Sequence, residues 1–252
     1  MALLETLVVV FGVAFLASLA VYAKTRLFPM RPGEEPREDV AEYISMMVSV
    51  FYALVLGLCL VSVWDNHTTA DDEVRAEASA LHQTYLLADS LPAAQQQPVR
   101  DAARSYAAYV VDVEWPRMAE REPLGPEGWA MLDRLRAAGQ LHGSGTATTG
   151  QQIAAQEMLA QIGYVDDARR GREAAAQERL SEVLWAGLVI GGVLTVSFMF
   201  LFGINRSATH IILVMGLSGF IAFTVVLISQ LDAPFGTSLG VAPDAFTRYF
   251  PA

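Results

Sequence analysis

Residues 43–64 read YISMMVSVFYALVLGLCLVSVW and pass without a break into DNHTTADDEVRAEASALHQTYLLADS at 65–90. The first stretch holds no Asp, Glu, Lys or Arg and is long enough to cross a hydrocarbon core of about 30 Å. After Gly57 there is no Gly or Pro until Pro92. The spacing therefore predicts one helix from about Val40 to Ser90 that leaves the bilayer near Trp64 and continues into water. In its polar half Val74, Ala78, Leu81, Tyr85 and Ala88 recur at three- and four-residue steps, an apolar stripe made to pack on other helices.

Three more runs share the character of the first: Thr6 to Ala23, Val183 to Ile204 and Ile211 to Leu231. They raise the 252-residue chain to 53% hydrophobic, with 17% charged residues against about 25% in soluble domains. The expected fold is all-α and integral to the membrane: four transmembrane helices with an extended helical domain between spans two and three. The divisions are 1–64 for spans one and two, 65–182 for the helical domain, 183–231 for spans three and four, and 232–252 for a tail packed near the membrane surface. The first run is not a cleaved signal, because Glu5 precedes it and Lys24 and Arg26 follow it, the reverse of a secretory leader.

Charge placement sets an orientation. Lys24, Arg26, Arg31 and Arg37 crowd the first connector and Arg206 sits in the last. By the positive-inside rule both short loops face the cytoplasm, which puts the helical domain outside a bacterial inner membrane. Within that domain a second helix is expected from Pro98, a favoured first-turn residue, to an interruption at Pro116. A short one follows from about Pro126 to Ala138, stopping at Gly139. Gly143 to Gly150 is the flexible loop tip, and from Gln151 a last helix can run without Pro to Ile204.

Motifs along this frame resemble a bestrophin-like family of bacterial membrane proteins. They are Val63-Trp64-Asp65; Glu77 with Leu81 and Tyr85; Tyr106 with Tyr109; and Glu114-Trp115-Pro116 with Met118. Further on come Leu184-Trp185, Phe200 to Gly203, His210, Leu231-Asp232 with Pro234-Phe235, and Val241 with Pro243 and Phe246. The resemblance covers nearly the whole chain in order. It implies, by analogy of layout, a homo-oligomeric ion channel. True bestrophins are similar in having two spans, a large helical domain and two more spans, with the domain cytoplasmic.

Several functions are disfavoured by the residues themselves. No Asp, Glu, His or Lys lies deep in a span, where a proton-coupled carrier needs one, and no matched pair of Gly/Pro-broken spans marks an inverted-repeat transporter. Cys59 is the single cysteine, so a disulfide scaffold is excluded. A net charge of −10 without a basic cluster argues against nucleic acid. His67, Asp71 and Asp65 are too few for a metal site, and His82, His142 and His210 are scattered. No Walker loop, Gly-x-Ser-x-Gly or His-Glu-x-x-His is present, so neither an enzyme nor a cofactor is expected. The expected partners are the lipid bilayer, further copies of the chain and inorganic ions.

A pore can be lined by span two. Glu42, Ser45, Ser49 and Tyr52 share a helical face that continues as Ser62, Asp65, Thr69 and Asp72, with Leu56 and Cys59 or Leu60 as an apolar neck able to gate by dewetting. The competing reading is that Ser and Thr bond back to their own helix carbonyls while Tyr52 sits in protein contact. Asp65, Asp72, Glu182 and Asp232 gather at the membrane exit, either as a cation-concentrating mouth or as a solvated surface, and Asp232 is equally a cap that stops span four. Gly187 and Gly191, like Gly216 and Gly219, are small residues that let helices approach, while Trp64 and Trp185 are interfacial anchors. The alternative function is a membrane-anchored sensor or scaffold whose helical domain binds a partner. In a channel Ser45, Ser49 and Tyr52 face water; in a scaffold they are buried against spans of the same protomer.

Overall fold

The computed structural model describes residues 38–141, 147–201 and 208–251, with Gly12, Leu16 and Leu19 as isolated helical positions. The rest of the first apolar run, the basic connector after it, His142 and the connector holding Arg206 lie outside the described residues. The described residues are helical, without strand. α1 spans Glu38–Leu87 and runs into a 3₁₀ turn at Ala88–Ser90. α2 is Ala93–Tyr109, followed by a π turn at Val110–Glu114, α3 at Trp115–Ala119 and α4 at Glu127–Gly139. α5 is Thr149–Gln177, α6 Glu182–Leu201, α7 Ala208–Leu231 and α8 Asp244–Tyr249. Among the described residues three helices, α1, α6 and α7, are long and apolar enough to cross a membrane.

The chain divides into two compact units, Met1–Trp64 with Arg179–Asp232, and Asp65–Glu178 with Ala233–Ala252. The boundary at Trp64 falls inside α1, so one helix serves both. In the second unit the α1 stripe is as expected: Val74, Ala78, Leu81 and Ala88 are buried and Tyr85 packs against them. They meet Val99, Ala103 and Tyr106 of α2, Leu132 and Leu135 of α4, and Met158, Ile162 and Val165 of α5. The tail returns to this core through Phe235, Val241 and Phe246. Trp115 sets its edge on Phe235, with ring centroids 5.4 Å apart. α5 opens on a reciprocal cap in which Thr148 Oγ1 accepts the Gln151 N–H and Gln151 Oε1 accepts that of Thr148, the capping-box arrangement.

Three helix boundaries depart from the sequence reading. α2 begins at Ala93 rather than Pro98, with Pro92 before it and Pro98 inside. Pro116 interrupts nothing, because the π turn precedes it. There the Trp115 N–H bonds the carbonyl of Val110 five residues back, and the wider turn accommodates a residue that lacks an N–H and crowds the carbonyl four before it. The single last helix from Gln151 is two helices, broken at Glu178–Ser181.

No Gly or Pro marks that break; side chains make it. Glu178 is extended (φ −68°, ψ 134°). Ser181 Oγ accepts the Leu184 N–H at 3.3 Å, a cap that starts α6. Asp232, at the end of α7, accepts the Leu180 N–H on Oδ1 at 2.8 Å and the Trp185 indole N–H on Oδ2 at 3.3 Å. Asp232→Ala leaves both donors unpaired in a half-buried place, at a cost of about 1–3 kcal/mol. The variant is expected to melt several degrees lower than wild type in detergent, followed by tryptophan fluorescence, and an unchanged melting temperature would dismiss the clamp.

Candidate functional site

The chemistry of the helical unit is concentrated in one buried set. Glu77 of α1, Tyr106 of α2, Glu114 of the π turn, and Arg169 and Arg172 of α5 are all at 0% exposure. Arg172 bonds Glu77 through Nε at 2.6 Å and Nη2 at 3.1 Å, and Glu114 Oε2 through Nη2 at 2.9 Å. Arg169 grips Glu114 bidentately, Nη2 to Oε1 at 2.6 Å and Nη1 to Oε2 at 2.8 Å, and also donates to the Tyr106 hydroxyl at 3.1 Å. Tyr106 in turn donates to Glu77 Oε1. Half-buried Glu173 adds a contact to Arg169 at 3.0 Å, and the Trp129 ring lies 5.0 Å from its guanidinium carbon.

Two carboxylates and two guanidiniums balance, which is how charges survive away from water. Burial by itself lowers an arginine pKa, but Glu77 and Glu114 outweigh it and hold Arg172 well above its ordinary value. Arg169 is held above its own by Glu114 and Tyr106 against the same penalty. Burial and the Glu77 charge push the Tyr106 phenol up, so it stays a donor. Gly128 completes the set: a Cβ there collides with the Arg169 guanidinium and the Glu114 carboxylate.

Glu77, Tyr106 and Glu114 belong to the motifs singled out from sequence, as does Met118, whose sulfur lies 3.3 Å from Arg172 Nη1. The two arginines were missed. They lie in DDARRGRE at 166–173, a stretch that matches none of the motifs singled out. The available signal was the phase of α5: Ile162, Val165, Ala168, Arg169, Arg172 and Ala175 fall on one buried stripe.

In the membrane unit the proposed pore positions separate. Tyr52 (8% exposed) and Cys59 (4%) are buried within the protomer. The Tyr52 ring occupies the space where side chains at Gly191 and Gly192 would be, and Cys59 packs with Val63, Leu188, Ile228 and Leu231. Ser45, Ser49 and Leu56 are half-buried on the same face and Ser62 is exposed. Ser49 Oγ donates to the Ser45 carbonyl at 2.8 Å. Asp65, Asp72 and Glu182 are exposed, whereas both Asp232 oxygens accept hydrogen bonds. The side chain of Glu42 lies outside the described residues. The Tyr52 ring lies against Gly191 and Gly192, whereas a Cβ at Gly187 or Gly216 would meet open space among the described residues. Gly219 is half-buried. Among the described residues no three His, Cys, Asp or Glu come together to hold a metal, and His67 contacts the Leu239 carbonyl at 2.9 Å.

A bestrophin-like domain model matches residues 11–246, and the chain belongs to that family. No curated protein and no solved structure matches it.

Glu114→Gln leaves two buried guanidiniums with one buried carboxylate, Glu77, and half-buried Glu173, for which a loss of about 3–5 kcal/mol is expected. Gly128→Ala should act in the same direction through the collision described. Chemical denaturation of the full chain in detergent, read by circular dichroism, checks both, and wild-type midpoints would show that the network does not hold the unit.

Proposed function

We propose that this bestrophin-like protein is a homo-oligomeric ion channel, or channel-like pore, with α1 contributing the wall. The observation that carries this is the family match along the whole layout. It is supported by spans that the protomer leaves uncovered. Only 11%, 17% and 28% of the most apolar windows of α1, α6 and α7 are buried among the described residues, so these helices need lipid or further subunits around them.

Because Tyr52 and Cys59 are buried, the wall falls to an exposed face of α1 beside them. Phe51, Val55, Leu58, Ser62, Asp65 and Thr69 recur there at three- and four-residue steps, all exposed. Phe51 and Leu58 would form an apolar neck and Ser62 to Thr69, with Asp72, a polar mouth. An apolar constriction gates by dewetting without any ionisable group. We place the protein in a bacterial plasma membrane with its helical unit outside, on the charges of Lys24, Arg26, Arg31, Arg37 and Arg206. Inorganic ions pass, and no catalysis is assigned.

The second reading, an anchored sensor or scaffold, is favoured by one observation: Tyr52, the largest polar group of span two, is packed against α6 of its own protomer.

Current across a planar bilayer under a salt gradient separates the two. A channel gives a reproducible conductance whose reversal potential reports the sign of the ion. A Ser62→Cys variant in a Cys59→Ser background should then be blocked by a water-soluble thiol reagent. Silence across voltage, Ca²⁺ and pH would transfer the assignment to the scaffold.

A further inference from the structure

Among the described residues of the membrane unit, three hydroxyls are buried and have no hydrogen-bond partner: Tyr52 at 8% exposure, Thr195 at 3% and Ser218 at 1%. Each belongs to a different helix. Their neighbours of the same chemistry behave otherwise. Ser49, Ser197 and Thr224 donate to the carbonyl four residues back at 2.8, 2.7 and 2.9 Å, the ordinary resort of a hydroxyl in an apolar helix.

Helix register puts the three unpaired groups within about one helical turn of one another. α6 and α7 run antiparallel: Trp185 meets Asp232, Leu188 clusters with Ile228 and Leu231, and Ile221 lies beside Gly192. One turn further along the same register sets Thr195 level with Ser218, and both are buried. Tyr52 enters from α1 one turn away, at the level of Gly192 and Ile221, its hydroxyl 3.0 Å from where a Cβ on Gly192 would stand. The absence of side chains at Gly191 and Gly192 is what admits the phenol.

We propose that this junction is a water-binding site inside each protomer, in which bound water is shared by the hydroxyls of Tyr52, Thr195 and Ser218. A buried hydroxyl left unpaired is destabilising, and buried water characteristically makes about three hydrogen bonds, one for each group here. A metal or alkali cation finds no carboxylate there, and the carbonyls of α6 and α7 are engaged in their helices. A halide finds no Lys or Arg in any span, and hydroxyls alone do not offset the several kcal/mol of burying an ion. Water is the ligand whose chemistry matches three neutral hydroxyls. The site joins α1, α6 and α7 through one shared partner and so fixes their register in lipid, where apolar contact alone does not. It lies within one protomer and is independent of whether the protein conducts.

X-ray hydroxyl-radical footprinting of the full chain in detergent tests this, because radiolysis of bound water modifies the side chains touching it while bulk radicals do not reach buried ones. Tyr106, buried and hydrogen-bonded within the protein, is the internal control. Tyr52 is expected to be modified several-fold faster than Tyr106, and to fall to the Tyr106 rate in a Thr195→Val/Ser218→Ala double variant. Equal protection of Tyr52 and Tyr106 in the wild type overturns the site, and that arm needs no variant to fold. Modification of Tyr52 in gluconate that is suppressed by chloride would assign the hydroxyls to a halide and overturn water as their ligand.

Discussion

The complete burial of Arg169 and Arg172 is the constraint to which the helical unit is built. A guanidinium withdrawn from water has several kcal/mol of solvation to recover, and two of them on one face of α5 demand two carboxylates in fixed places. Glu77 can be supplied by the regular phase of α1, since it lies between Val74 and Leu81 on the buried stripe. Glu114 needs a local exception. The π turn at Val110–Glu114 changes the phase of the chain so that Val110, Glu114, Trp115 and Met118 are all inward. It also prepares the way for Pro116. A bulge of this kind is uncommon and tends to occur where function or structure requires a side chain to be re-aimed. Gly128 then has to be glycine, because the space above its Cα is filled by the ion pair.

This arrangement explains why the motif residues lie so far apart in sequence. Glu77, Tyr106, Glu114 and Met118 contact the two arginines, Trp115 meets Phe235, and Val241 donates its N–H to the Pro234 carbonyl at 2.7 Å. Trp185 and Asp232, also in the motifs, close the break before α6. The motifs therefore read as the fixed points of two separate packing problems, one solved by charge balance and one by capping.

The apolar runs and the stripe on α1 were legible in sequence because each is a local pattern. Length and lack of charge mark a span, and a three-four repeat marks a buried face. What failed depended on partners distant in the chain. The break at Glu178–Ser181 carries no local signal, since its decisive acceptor, Asp232, comes from the end of α7. Arg169 and Arg172 look solvated among Asp166, Asp167 and Glu173 until the carboxylates of α1 and the π turn are brought to them. Pro98 has the character of a first-turn residue, but the helix starts at Ala93 and carries the proline inside. Gly187 and Gly216 matched a spacing, yet only Gly191 and Gly192 receive a ring.

The polar face of α1 raises a more general point about helices in lipid. In water, Ser45, Ser49 and Tyr52 on one side would be expected to seek the solvent. Lipid reverses the preference: apolar side chains gain nothing by turning inward, while small and polar residues gain contact and hydrogen bonds by facing other helices. Phe51, Leu54 and Leu58 are accordingly outside, at 67%, 59% and 71% exposure, and Tyr52 is inside against glycines. A pore wall drawn on polarity alone thus selects the face that holds the protomer together. Polarity on a span is therefore first a signal of helix contact, and it is the exposed apolar face of α1 that still has to find its partner in lipid or protein.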